Sequence, residues 1–165
     1  MTRQRREDRD MPAYGLWVEA SHFAEAAHWV HEKTSAQSTS TVAHFLYGHA
    51  AELALKAFLA AKGLTEEGLK SLRHDIEEAL ETAEAKGLSS CVQLSKVDRA
   101  VLSSLNAYYA EKWLEYPEAG GLYRLPCLSD VAPTVQRLLG AVGPVAEADS
   151  SRRAQERLRR RGATP

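Results

Sequence analysis

The residues of this chain best suited to acid–base or ligand chemistry lie between positions 44 and 109. His74 is followed directly by Asp75, and the run behind them, Ile76 to Leu80, has helical spacing, so the pair is expected just inside a helix start. There the positive end of the helix dipole favours a carboxylate. Such a dyad suits general acid–base work or metal ligation, and it also suits a plain structural role. An Asp in the first turn satisfies free N–H groups, and the preceding His can brace a neighbouring helix. Glu52 and Lys56 are spaced i,i+4 in the favourable order, which contributes about 0.2–0.5 kcal/mol on an exposed helix. The pair means more if that side of the helix is packed, because charges taken out of water persist mainly where they are paired or used.

The other histidines are read by their angular spacing. His28 and His31 share a helix face, but no carboxylate or cysteine is placed beside them to complete a zinc site, so they read as surface residues. His44 and His49 are five apart, roughly 140° around a helix, and cannot hold one ion together. His49 shares a face with Phe45 and Leu53 and reads as a partly buried, hydrogen-bonded imidazole. Phosphate-binding loops, dinucleotide-binding glycine patterns, "GxSxG" elbows and paired "CxxC" units do not occur, and Cys91 and Cys127 are lone thiols without a base partner. No metal and no cofactor is expected.

The elements that must position these groups are helices. Leu16, Trp17, Ala20, Phe23, Ala24, Ala27 and Val30 recur at three and four, predicting a helix from Ala13 to about Lys33. A Ser or Thr near 39 to 41 can cap a second helix that runs to Gly63, with Val42, Phe45, Leu46, His49, Leu53, Ala57 and Ala60 as its buried face. After a linker, "LTEEGLKS", a third helix over about 71–86 places Leu72, Ile76, Leu80 and Ala83 on one side and stops at Gly87. Ser95 with Asp98 resembles a capping box for a fourth helix, marked by Val97, Val101, Leu105, Tyr108 and Lys112 and ended by Pro117. Ser129 or Asp130 caps a fifth, with Pro133 in its first turn and Val131, Val135, Leu138, Leu139 and Val142 facing inward. The expected fold is all-α, an up-and-down antiparallel bundle of four to five helices.

Length and composition agree with one such domain: 165 residues, 44% hydrophobic and 26% charged, rich in Ala and Leu and poor in β-branched residues other than Val. The net charge of −1 conceals a segregation, with +1 over residues 1–10, −5 over 11–145 and +3 over 146–165. An acidic body argues against a reader of double-helical DNA, which needs a basic face on a folded element. The last segment has six arginines and little apolar surface beyond Leu158, so it is expected to be a flexible or frayed basic tail able to meet RNA or another anion. The division expected is a flexible arm over 1–12, a bundle over 13–142 and a flexible basic tail over 143–165. Two cysteines cannot frame a disulfide scaffold, and the charged start has no signal-like apolar stretch behind it, so a cytoplasmic location is expected. The most apolar window, "AHFLYGHAAELALKAFLAA", carries His44, His49, Glu52 and Lys56, and no membrane span is expected.

Taken in order, "YGHAAELALKAFLAAKGL", "LRHDIEEALETAEAKGL" and "LNAYYAEKWLEYP" resemble the HEPN family of small helical domains over roughly residues 13–142. The marks are the Glu52 and Lys56 spacing, the His74 and Asp75 pair, and the Leu105, Asn106, Tyr109 stretch ahead of Tyr116 and Pro117. The resemblance implies a bundle that commonly forms homodimers, with nucleotide or RNA functions and, in toxin–antitoxin members, a small nucleotidyltransferase partner. Ribonucleases of the family carry an Arg followed by a His after four to six residues. This chain has no Arg and His at that spacing.

The expectation is therefore a noncatalytic binding or assembly module whose ligand-binding cleft is lined by Glu52, Lys56, His74, Asp75, Asn106 and Tyr109. The alternative is a metal-independent ribonuclease of atypical site, with His74 and Asp75 as its catalytic groups, aided by Glu52 or Lys56. A third reading, a metal-dependent phosphohydrolase of HD type, would add His44 or His49 and Asp98 or Asp130 to the dyad. Trp17 and Trp29, about 120° apart on the first helix, make that helix more apolar than one buried face requires, so Trp29 is a candidate for a dimer contact.

Overall fold

A computed structural model describes residues 13–33, 40–116 and 123–162, with backbone alone at 161 and 162. Its helices are α1 (Ala13–Lys33), α2 (Thr41–Ala61), α3 (Glu66–Ser71), α4 (Ile76–Ala85), α5 (Lys96–Tyr109) and α6 (Leu128–Gly162), with a short 3-10 turn at Leu88–Ser90. Among the described residues there is no strand, and no helix is long and apolar enough to cross a membrane. The arm expected over 1–12 and the break expected at Pro117 lie outside them.

α2 is the centre of the bundle, packed against α1, α3, α4, α5 and α6. Its N-terminus is fixed by the Ser40 hydroxyl, which accepts the Ala43 N–H at 3.1 Å. At its other end Gly63, at φ 85°, donates to the Ala60 carbonyl at 3.0 Å while Leu64 donates to Leu59 at 2.9 Å, closing the last turn. The expected buried stripe holds at Ala57 and Ala60 and needs correction elsewhere. Val42 is exposed, and Phe45, Leu46, His49 and Leu53 are half-buried, whereas Ala50, Ala51, Ala54, Leu55, Phe58 and Leu59 are fully inside. A single stripe is the signature of a helix with one covered face. With neighbours on nearly every side, the alanines take the closest approaches and the larger residues at 45, 46 and 53 fill the seams.

The stretch expected as a linker contains α3, capped by Thr65 and burying Leu69. The third expected helix begins later than about residue 71. α4 starts at Ile76 with Asp75 as its N-cap, so His74 and Asp75 lie just before the helix, not within it. Leu72, Ile76, Leu80 and Ala83 are buried as read. α5 opens with the capping box of Ser95 and Asp98 but ends at Tyr109, well before Pro117, and Lys112 sits at φ 60° in the turn that follows.

The face of α5 is partly rotated from the expected one: Val101 and Leu105 are buried as read, but Val97 is exposed while Asp98, Leu102, Asn106 and Tyr109 are also buried. The inward Asp98 is supported from α6, where the Thr134 hydroxyl and Arg137 donate to it at 2.8 and 2.6 Å. These contacts at one end, and the Tyr108 hydroxyl accepting the Arg124 N–H at the other, set α5 antiparallel to α6.

α6 buries Val131, Val135, Leu138, Leu139 and Val142 as expected, but it does not stop there. Ser129 and Asp130 already lie inside it, and it continues through Pro144 to Gly162, so no boundary separates 142 from 143. Ala146 and Asp149 are buried, and Asp149 binds Arg152 and Arg153 while Arg152 also meets Glu156 at 3.2 Å. These i,i+3 and i,i+4 pairs continue the helix where apolar burial runs out. The Trp17 indole donates to the Leu139 carbonyl at 3.0 Å, and its ring fills the space a Cβ at Gly143 would need. Trp29 is 63% exposed.

Candidate functional site

Four side chains from three parts of the chain meet at one buried carboxylate. Glu52, on the face of α2 turned to α4 and α5, is 2% exposed. One turn on, the Lys56 ammonium donates to Glu52 Oε1 at 2.5 Å. From the end of α5 the Tyr109 hydroxyl donates to Oε2 at 2.5 Å. From the turn before α4, His74 Nδ1 reaches the same Oε2 at 3.1 Å. His49, one turn before Glu52, places Nδ1 at 2.7 Å from the Tyr109 hydroxyl and 3.4 Å from Glu52 Oε2. A carboxylate only accepts, so the phenol's proton points to Glu52 and the His49 ring N–H is the donor to the phenol oxygen.

Burial pushes the Glu52 carboxyl up, but the bonds from His49, Lys56 and Tyr109 outweigh it and bring it down to about 2. Burial, and then the neighbouring Glu52 charge, push the Tyr109 phenol well above its ordinary range, so it remains a donor. The cluster is therefore a fixed anion ringed by donors.

Lys56 has a second task. Its ammonium also donates to the Arg73 carbonyl at 2.5 Å, and Arg73 is held at φ 47°. A left-handed backbone at a residue with a Cβ costs on the order of 1–3 kcal/mol and persists only where its surroundings enforce it. Lys56 thus fixes the turn that delivers His74 to Glu52. Gly48 makes room on the other side: a Cβ there would lie 2.8 Å from the Tyr109 ring.

Asp75 and Asn106 form an adjoining set. Asp75 accepts the Glu78 N–H at 2.9 Å and the Asn106 amide at 3.1 Å, and Asn106 Oδ1 accepts the buried Ile76 N–H at 2.8 Å. The sequence-adjacent dyad is thereby divided. Asp75 serves the helix start, and the carboxylate that meets His74 is Glu52, twenty-two residues away. Of the six expected cleft residues, Glu52, Lys56, His74 and Tyr109 share one network, while Asp75 and Asn106 brace α4 against α5 beside it.

His49 was not among the expected cleft residues, although its i,i+3 spacing to Glu52 was readable. Its ring is walled by Phe23, edge-on at 4.4 Å, and by Phe45, stacked at 6.1 Å. Both imidazoles use Nδ1 toward the cluster, which leaves each Nε2 without a hydrogen-bond partner among the described residues. The His74 side chain is 42% exposed and that of His49 24%.

Of the groups an HD-type site would add to the dyad, His49 joins the cluster and the others do not. His44 is buried with its ring nitrogens at 2.7 and 2.8 Å from the Ser40 and Pro126 carbonyls, Asp98 is engaged by α6, and Asp130 is exposed in the first turn of α6. Among the described residues no group of three or more His, Cys, Asp or Glu is placed to hold a metal ion. Comparison with models of known protein families, with curated proteins and with solved structures finds no match.

Proposed function

We propose that this chain is a HEPN-like, noncatalytic module that takes a phosphate-bearing ligand, a nucleotide or an RNA end, at the outer edge of the Glu52 cluster, where the His74 side chain is 42% exposed. The observation that carries this reading is the pair of imidazoles fixed through Nδ1 by one buried carboxylate and its phenol, each with Nε2 left over. Protonated at Nε2, His49 and His74 would donate to phosphate oxygens, with Phe23 and Phe45 as an apolar wall beside them. Glu52 and Lys56 build the site and do not reach the ligand, since Lys56 is already bound to Glu52 and the Arg73 carbonyl. The resemblance to HEPN domains adds a second copy of the chain as partner, with the exposed Trp29 at the contact, and a nucleotidyltransferase-type partner. A light-scattering mass of one chain at high micromolar concentration would remove the homodimer.

Calorimetry with adenosine monophosphate tests the ligand reading. Binding should weaken at least tenfold in His49→Gln and in His74→Gln. Binding unchanged in both variants would refute it.

The paired imidazoles also favour a second reading, metal-independent RNA cleavage. One Nε2 would take the 2′-hydroxyl proton as that oxygen attacks phosphorus, and the other would give a proton to the departing 5′-oxygen. This reading expects chelator-resistant cleavage by highly purified protein that is lost in either His variant; intact RNA after prolonged incubation with the wild-type chain would eliminate it.

A further inference from the structure

The outer half of α6 carries its charge on one side. At 100° per residue, Arg152, Arg153, Arg157, Arg159 and Arg160 fall within an arc of about 160°, while Ser151, Ala154, Gln155 and Leu158 occupy the rest. We propose that this stripe is a nucleic-acid contact surface, its guanidinium groups lying along a phosphate backbone. It is separate from the Glu52 cluster and does not depend on how that cluster is read.

The stripe is anchored at its root. Asp149, 5% exposed, binds Arg152 and Arg153, and so orients the first two guanidinium groups and joins the outer helix to the bundle. Glu156 lies in the same arc and meets Arg152 at 3.2 Å. Five cations against these two acids leave the segment from 149 to 160 at +3, in contrast to the −5 of residues 11–145. From Arg152 to Arg160 the helix rises about 12 Å, and a nucleic-acid strand carries one phosphate per about 3.4 Å of duplex axis. The stripe therefore faces three to four phosphates.

The chemistry favours phosphate over other anionic partners. Every basic residue here is Arg, whose fork matches phosphate oxygens in pairs. A lipid surface would need an apolar face opposite the charges, and only Leu158 and Ala154 stand there. The acidic groove between α4 and α5, with Glu77, Glu81 and Glu84, is a poorer fit for a second copy's stripe because Arg99 already lies in it, 2.5 Å from Glu84.

Fluorescence anisotropy of the full chain with a labelled, mixed-sequence, 20-nucleotide single-stranded RNA tests the proposal over a series of salt concentrations. Each backbone contact contributes about 0.7 to the slope of log affinity against log salt. R157Q/R160Q should lower that slope by about 1.4 and weaken binding at 0.1 M salt by about an order of magnitude. R157K/R160K should keep the slope, and both pairs should bind adenosine monophosphate as the wild-type chain does. An unchanged RNA affinity and slope in R157Q/R160Q would overturn the proposal, as would loss of the slope in the Lys pair. Displacement of the RNA by polyglutamate at equal charge concentration would overturn it in favour of an acidic protein partner.

Discussion

Replacing Glu52 by Gln removes the charge at the centre of the cluster while keeping its shape and one acceptor oxygen. The native carboxyl titrates at about 2 against an ordinary 4.5, so its ionised form is favoured in the folded chain. A depressed carboxyl contributes stability that is fully present above the unfolded value and is lost as pH falls through the folded one. For Glu52 the window runs from about 4.5 down to about 2. Each unit is 1.36 kcal/mol, so the contribution is about 3 kcal/mol at pH 7 and about 1.4 kcal/mol at pH 3. Glu52→Gln loses this term, and Lys56 loses its anionic partner while retaining the Arg73 carbonyl. Urea unfolding of both proteins at pH 7 and pH 3 reads the gap between them directly, because the other carboxylates are common to both. The gap should be about 3 kcal/mol at pH 7 and should shrink by roughly half at pH 3. An equal gap at both pH values would show that the carboxylate is not held as an anion by its donors, and the reasoning would fail.

Gly48→Ala sets a methyl 2.8 Å from the Tyr109 ring; the ring must move off Glu52, and urea unfolding should show a loss of about 1–3 kcal/mol even though Ala is otherwise preferred inside a helix. Stability equal to or above wild type would show that the ring yields without cost. Asn106→Ala leaves the buried Ile76 N–H without its acceptor, which should cost about 1–3 kcal/mol and speed amide exchange at the start of α4. Unaltered exchange there would mean that Asn106 does not brace that turn.

What the sequence disclosed depended on whether a local rule applied. The limits of α1, the cap and stop of α2, the capping box of α5 and the inward positions of α6 follow from spacing and end chemistry that neighbours do not override. The faces of α2 and α5 did not, because the first is covered on nearly every side and the second turns an acid inward onto Thr134 and Arg137. The extension of α6 was hidden because it rests on Asp149 and its arginine partners, not on an apolar stripe. At the site, Glu52 and Lys56 were legible as an i,i+4 pair. The true partner of His74 was not, since the adjacent Asp75 satisfies every sequence rule for a dyad yet is consumed by the cap of α4. His49 was passed over because an imidazole between Phe45 and Leu53 looks like core. The arrival of Tyr109 from α5, beside the buried Glu52, gives its ring polar partners.

The most direct test of this account follows the imidazole nitrogens of ¹⁵N-histidine-labelled protein by NMR as inorganic phosphate is added. Nε2 of His49 and of His74 should shift together and saturate with a single affinity, while the ring nitrogens of His44, both facing carbonyls, should not move. Shifts confined to one of the two rings, or shared equally by exposed His22 and His28, would contradict a common phosphate site organised by Glu52.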